Sequence, residues 1–220
     1  MLIGVVGFAG SGKGTVADIL IRDYNFTKIS FADSVKDAVS VIFSWDRNLL
    51  EGDTEESRDF REKEDAWWSK KFGYKVTPRL MLQLMGTEAG RNVFHDQIWV
   101  HTVARKIENM KQKDNKSTFV VPDVRFTNEM DFIRQSGGHV IRVVRGSEPE
   151  WYDTALKANK EKNTDLMLKY NIHYSEWAWI GENFNYQISN NGTLLMLESD
   201  VKHMLKVFTG PAIMCEHSEK

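Results

Sequence analysis

Nine consecutive residues carry the clearest chemistry, GFAGSGKGT, from Gly7 to Thr15. The spacing Gly7-x-x-x-x-Gly12-Lys13 suits a loop that holds phosphate, because glycines let backbone N–H groups turn inward around anionic oxygens. Lys13 supplies a mobile cation for β- and γ-phosphates, and a helix starting beyond the loop adds the positive end of its dipole. The competing reading is a glycine-rich strand-to-helix turn with a surface lysine. The residue after Lys13 is Gly14, where the usual signature has Ser or Thr to ligate Mg2+. Thr15, one place later, can still reach a phosphate from the first helical turn, while Mg2+ keeps more of its water shell. No side chain is therefore assigned as a metal ligand. A small-molecule phosphotransferase fits this loop better than a GTPase switch.

Asp123 ends a short apolar run and Arg125 follows two residues later. Ligands of open α/β sheets gather at the carboxyl ends of the strands, so both residues are expected to face the crevice. A turn or capping residue is the alternative for Asp123. Arg79, Arg91, Arg142 and Arg145 are further candidates, since the planar guanidinium makes forked contacts to phosphate. For each of these an exposed salt bridge is the competing role.

These residues need a scaffold, and the pattern of elements specifies one. Leu2 to Val6 is a continuous apolar run, as in a central parallel strand covered on both faces. Thr15 to Tyr24 has helical spacing, with Val16, Ile19 and Leu20 on one side. Phe26 to Ala32 alternates like a second strand, and Asp33 is placed to cap the helix DSVKDAVSVIF. Asp46 to Asp65 holds nine acidic and four basic residues and is expected to be a solvated excursion, partly helical at best. Thr77 and Pro78 start a helix that runs through Arg91, and DQIWVHTVARKIENM is another amphipathic helix. STFVVPDVR and HVIRVVR read as strands, with TNEMDFIRQSG between them as a helix capped by Thr127. Gly146 to Gly181 is polar and irregular and is expected to be mobile. FNYQISN is a last strand, Asn191-Gly192 a turn, TLLMLESDVKHMLKVF a last helix, and the residues from Thr209 on a frayed tail. Alternating strands and helices imply an α/β domain with a parallel sheet.

The 220 residues fit one domain with insertions. A net charge of −2 argues against gripping nucleic acid with a broad basic surface, so no stable nucleic-acid binding is expected. The single cysteine, Cys215, can form no internal disulfide, which suits a reducing cytoplasm. The start of the chain reads as a strand rather than a signal peptide, and no run approaches the roughly 20 apolar residues of a membrane span.

Several blocks together resemble the deoxynucleoside monophosphate kinases of tailed phages. They are GSGKGT with the following AD, then FADSVKDA, PRLMLQLMGTE, DQIWV, VVPDVRFTNEMDFIRQSGGHVIRVVR, HYSE and ISNNGTL, in order along nearly the whole chain. The loop alone, G-x-x-G-x-G-K-G-T, is similar to the adenylate kinase type. The resemblance implies a three-layer P-loop kinase fold with a central, mostly parallel sheet. A substrate-binding insertion at about 45–77 and a lid at about 146–181 complete that expectation. It further implies transfer of the ATP γ-phosphoryl group to a deoxynucleoside monophosphate (dNMP) to give the diphosphate, with Mg2+, in the cytoplasm. Gly10, Ser11, Gly12, Lys13, Gly14 and Thr15 would bind the ATP phosphates, and Asn191 and Gly192 would lie near the adenine. Lys36, Arg79, Thr87, Trp99, Asp123, Arg125 and Glu129 match positions used around the monophosphate, with Lys13, Arg125 and Arg79 serving the transfer itself. Trp99 could equally fill core. His173, Ser175 and Glu176 match a recurrent block without an assigned role. Dimers occur among such relatives, so a homodimer is compatible with the resemblance. The alternatives are a kinase acting on dephospho-coenzyme A or a modified base in DNA, and a nucleotide-binding module without turnover.

Overall fold

The structure is a computed structural model that describes residues 1–210. Cys215 and the expected frayed tail beyond 210 lie outside the described residues. The chain divides into two compact units, the first made of residues 1–29 with 114 onward, the second of residues 30–113.

The first unit is built on a five-stranded sheet in the order β2-β3-β1-β4-β5, with every neighbouring pair parallel. The strands are β1 (Leu2–Val6), β2 (Thr27–Lys28), β3 (Phe119–Val121), β4 (His139–Val144) and β5 (Tyr186–Ser189). β1 is buried at every residue, as expected for a central strand with both faces covered. Its register places Gly4 beside Val121 and Val140, so the carboxyl ends of β1, β3 and β4 lie side by side. On one face Ile3, Val5, Val120, Ile141, Val143 and Ile188 meet helix α1 (Lys13–Tyr24) and helix α9 (Leu194–Thr209) through Val16, Ile19, Leu20, Leu197, Val201 and Met204. On the other face lies α7 (Thr127–Gln135), whose Met130 and Ile133 are fully buried. Helix, sheet and helix make three layers, the α/β arrangement expected from the alternating pattern.

Several local expectations change. β2 covers two residues rather than Phe26 to Ala32, because the chain turns at Ser30, whose N–H donates to the Asp33 carboxylate at 3.2 Å. Asp33 thereby lies inside α2 (Asp33–Phe43), with Ala32 as its N-cap. Thr127 does not cap α7; the Glu129 carboxylate reaches back to the Phe126 N–H at 3.1 Å and does so instead. The segment 146–181 is not irregular. It contains α8 (Tyr152–Glu161) and two 3₁₀ turns (Thr164–Tyr170 and Tyr174–Glu176), and Trp177, Ala178, Trp179 and Ile180 are buried. Asn159 binds the segment from within, donating to the Trp177 and Ile180 carbonyls at 3.0 and 2.8 Å. Its polar composition hid an apolar anchor concentrated in four consecutive residues.

The second unit has its own core of Val39, Phe43, Trp45, Leu50, Val76 and Met81. The acidic stretch holds α3 (Glu55–Glu62), whose Thr54 and Ser57 form a reciprocal capping box, and α4 (Ala66–Phe72) follows it. Most of the stretch is exposed as expected, but Leu50 is fully buried and fastens it. Thr77 caps α5 (Pro78–Gln83), its hydroxyl accepting from the Leu80 N–H at 3.2 Å, with Pro78 in the first turn. The helix does not continue regularly to Arg91. From Leu84 to Phe94 it widens into a π-helical stretch, a rare winding that recurs at functional sites, and α6 (Ile98–Lys113) follows.

Candidate functional site

The phosphate loop runs from the carboxyl end of β1 into α1. Gly12 is the N-cap of α1 with φ 99°, a left-handed conformation that a side chain resists. A Cβ at Gly12 would also fall 2.2 Å from the Asn190 side-chain nitrogen, which donates to the Ser11 carbonyl at 2.9 Å. Gly12 thus allows Asn190, after β5, to tie down the loop. Gly14 faces open space, and Thr15 is exposed in the first turn of α1. The Ser11 hydroxyl is buried without a hydrogen-bond partner, a polar atom left at the loop for a ligand to satisfy. Phe8 anchors the other side of the loop, packing on Trp179 at 4.9 Å and Trp151 at 5.4 Å.

Lys13 folds over this loop, with Nζ donating to the Gly7 and Phe8 carbonyls, each at 2.8 Å. Its pKa falls from 10.5 to about 8. Burial is the main cause and the Arg125 charge the second, while Glu176 and Asp123 act in the opposite sense. Lys13, Asp123, Arg125 and Glu176 therefore share one electrostatic site, and an arriving polyanion would relieve the strain between its two cations.

Arg125 reaches that site from the turn between β3 and α7. Glu129, only 2 % exposed, accepts the Arg125 N–H at 2.8 Å as well as that of Phe126. Its carboxylate thereby supports the backbone that carries Arg125. The guanidinium is paired with Glu176, and Nη1 also lies 3.3 Å from the Ser175 hydroxyl. The His173 ring in turn lies 2.8 Å from that hydroxyl. Asn191 accepts from the Gly146 N–H at 2.7 Å, joining the ends of β4 and β5, and Gly192 lies beside Met196 at the start of α9.

Arg142 is not a loose phosphate ligand. It is buried, pairs with Glu148, and lies over the Tyr152 and Trp179 rings at 5.3 and 5.1 Å. Aromatic faces and one carboxylate surround its charge within the fold, while its buried Nε has no hydrogen-bond partner.

In the second unit, Lys36 pairs with Glu51 at 2.5 Å, and Glu51 also holds Arg47. These two bases keep the Glu51 carboxyl below its ordinary pKa despite its burial. Arg79 is exposed and pairs with Glu62. Thr87 lies on the π-helical stretch. Trp99 is buried against Gly90 and donates its indole N–H to the Gly86 carbonyl at 2.7 Å, which makes it a brace for that stretch. Arg91 is also buried and donates to the Asp96 carbonyl at 2.9 Å.

Of the expected residues, Gly10 to Thr15, Asp123, Arg125, Glu129, Asn191 and Gly192 belong to the first unit. Lys36, Arg79, Thr87 and Trp99 belong to the second. The sequence did not single out Phe8, Asn190, or the pairing of Ser175 and Glu176 with Arg125. A polar residue directly after a strand is the only local signal for Asn190, and the Arg125 pairing spans some fifty positions of chain. Among the described residues no cluster of three His, Cys, Asp or Glu could hold a metal ion, and no helix is long and apolar enough to cross a membrane.

Comparison with known proteins adds a family. Residues 51–171 match the deoxynucleotide monophosphate kinase family. A protein of Acanthamoeba polyphaga mimivirus, provisionally named a deoxynucleotide monophosphate kinase, is 32% identical over 80% of this chain and 92% of its own length. The deoxynucleoside-5'-monophosphate kinase of Escherichia phage T5 is 30% identical over 79% of this chain and 88% of its own. Among solved structures, TT1252 from Thermus thermophilus aligns over 96% of this chain and 98% of its own, at 16% identity and a TM-score of 0.47.

Proposed function

The chain belongs to the deoxynucleotide monophosphate kinase family, and on that premise we propose how its residues move a phosphoryl group. It is an ATP-dependent nucleotide kinase with a P-loop α/β fold, and its reaction converts a dNMP and ATP to the deoxynucleoside diphosphate and ADP. The observation that carries the assignment of roles is the convergence of Lys13 and Arg125, close enough for one to depress the pKa of the other.

In this reading the backbone of Gly10 to Thr15 and the Ser11 hydroxyl hold the ATP phosphates. The fit rests on the partnerless buried hydroxyl and on the open surface at Gly14. Thr15 adds a hydroxyl from the first turn of α1. Mg2+ bound with the ATP phosphates would supply charge neutralisation, and this loop would hold those phosphates through its backbone N–H groups and Lys13. Asn191 and Gly192, beside the exposed start of α9, take the adenine end. Lys13 exchanges its two carbonyl partners for β- and γ-oxygens.

Arg125 binds the acceptor phosphate, with Asp123 beside it available to a sugar or base hydrogen-bond donor. Lys36, Arg79 and Thr87 are acceptor contacts implied by the family, while Trp99 and Glu129 brace the backbone next to such contacts. The attacking oxygen is already anionic, so no general base is required. Alignment and charge neutralisation supply the catalysis. The segment 146–181, fixed near the loop through Phe8 and Trp179, excludes water from the transfer.

The test is a panel of natural and modified dNMPs, dephospho-coenzyme A and hydroxymethylated DNA, each with ATP, using wild type and Arg125→Ala. Activity is expected on dNMPs, and Arg125→Ala is expected to raise KM for the dNMP about tenfold or more with a much smaller effect on ATP. Equal losses for both nucleotides would remove Arg125 from the acceptor site. Turnover confined to the other two acceptors would overturn the reading as a whole.

A further inference from the structure

The turn carrying His173, Ser175 and Glu176 has no part in the roles above, yet it grips the arginine that does. We infer that this turn is a positioning device: Ser175 and Glu176 hold Nη1 of Arg125 so that its remaining guanidinium nitrogens are presented to the acceptor phosphate. The inference rests on the assignment of Arg125 to that phosphate.

The ion pair is a poor device for stability. Its side chains are 48% and 38% exposed, and pairs in such surroundings add little to folding. It is a good device for orientation. A free arginine side chain carries substantial rotamer entropy, which binding must otherwise overcome. Both ends of Arg125 are fixed. The backbone N–H is held by buried Glu129 at 2.8 Å, and Nη1 by Glu176 and by Ser175 at 3.3 Å. Both contacts use the same nitrogen, leaving Nε and Nη2 for a ligand.

The turn itself is built to stay in place. His173 Nδ1 accepts the Ser175 N–H at 3.3 Å and lies 2.8 Å from its hydroxyl, which aims that hydroxyl. Tyr174 packs edge-on against Trp177 at 4.7 Å and lies tilted against Phe126, the residue after Arg125, at 6.1 Å. Trp177 is buried and donates to the Ile172 carbonyl at 3.3 Å. Clamp and arginine are thus bolted to one another through Tyr174 and Phe126. Glu176 also offsets the repulsion between Arg125 and Lys13, which lets both cations wait together before phosphate arrives.

The experiment uses the full chain with Glu176→Ala, Glu176→Gln and Ser175→Ala, each alone and combined with Arg125→Ala, scored by steady-state kinetics and melting temperature. Glu176→Ala is expected to raise KM for the dNMP about tenfold while KM for ATP moves no more than about twofold. Glu176→Gln, which keeps an acceptor oxygen, recovers part of the loss. In the Arg125→Ala background each clamp substitution adds nothing, because there is no guanidinium to hold. A silent Glu176→Ala, or losses that add to those of Arg125→Ala, overturns the inference while leaving Arg125 at the acceptor. An Arg125→Ala enzyme with unchanged KM for the dNMP removes the acceptor assignment and the inference together. If Glu176→Ala and Ser175→Ala both lower the melting temperature sharply, the turn is a structural strut and the inference fails.

Discussion

Lys13 offers the most direct check on the phosphate site, through pH. In the free protein its ammonium titrates at about 8 instead of 10.5, chiefly because it is buried and next because Arg125 is near. The sign follows from what phosphate prefers. A lowered lysine pKa means the empty site destabilises the ammonium relative to water, whereas bound phosphate oxygens favour it. ATP binding must then take up a proton wherever the free enzyme has lost it, and affinity falls as pH rises through 8. The ammonium is about half populated at pH 8 and about one-eleventh at pH 9, so the apparent dissociation constant should rise about twofold and about elevenfold. The terminal phosphate ionises near pH 6, so above about pH 7 its own charge is constant. Calorimetric titration of ATP in two buffers of different ionisation enthalpy reads both affinity and proton uptake. Lys13→Arg removes the titration, since a guanidinium stays charged throughout this range. A flat affinity from about pH 7 to 9.5 without proton uptake would refute the reasoning, as would the same fall in Lys13→Arg.

Three further outcomes follow from the geometry. Gly12→Ala should destabilise the protein by about 1–3 kcal/mol and weaken ATP binding, because its Cβ meets Asn190 at 2.2 Å in a left-handed conformation. Gly14→Ala, with open space around it, should stabilise α1 by about 0.5–1 kcal/mol, and paired urea melts showing the reverse order would contradict the loop geometry. Glu129→Ala should lose about 2–4 kcal/mol, since two backbone N–H groups are left without the buried carboxylate that accepts them. A loss in denaturant titration below about 0.5 kcal/mol would show that the cap is dispensable.

Much of the scaffold was legible in the chain. A fully apolar β1, a glycine loop and an amphipathic α1 are local patterns, and strand-helix alternation sets a parallel sheet. Thr77 and Pro78 marked a helix start because a cap acts within three residues. The errors came where that locality fails. Thr127 looked like a cap, but a carboxylate two residues into the helix took the task. The widening at Leu84 carries no composition signal, and Gly90 makes sense only with Trp99 lying against it. The segment 146–181 looked irregular because its anchor, Trp177 to Ile180, is short and its partners lie elsewhere in the chain.

The sequence by itself determined the phosphate chemistry. Gly7, Gly12 and Lys13 mark a phosphate-binding loop by backbone freedom and one cation, a pattern legible from near neighbours alone. It also determined the β1–loop–α1 unit and, through the blocks around Asp123 and Arg125, the family. Only the tertiary structure decided what each polar side chain is free to do. The Glu129 carboxylate is buried and accepts from two backbone donors, a pairing its own stretch of sequence does not show. Arg142 lies among aromatic faces, and Arg125 acquired a clamp from a turn some fifty residues away. Burial and distant pairing set the charge and direction of a side chain, and neither is written in its own stretch of sequence.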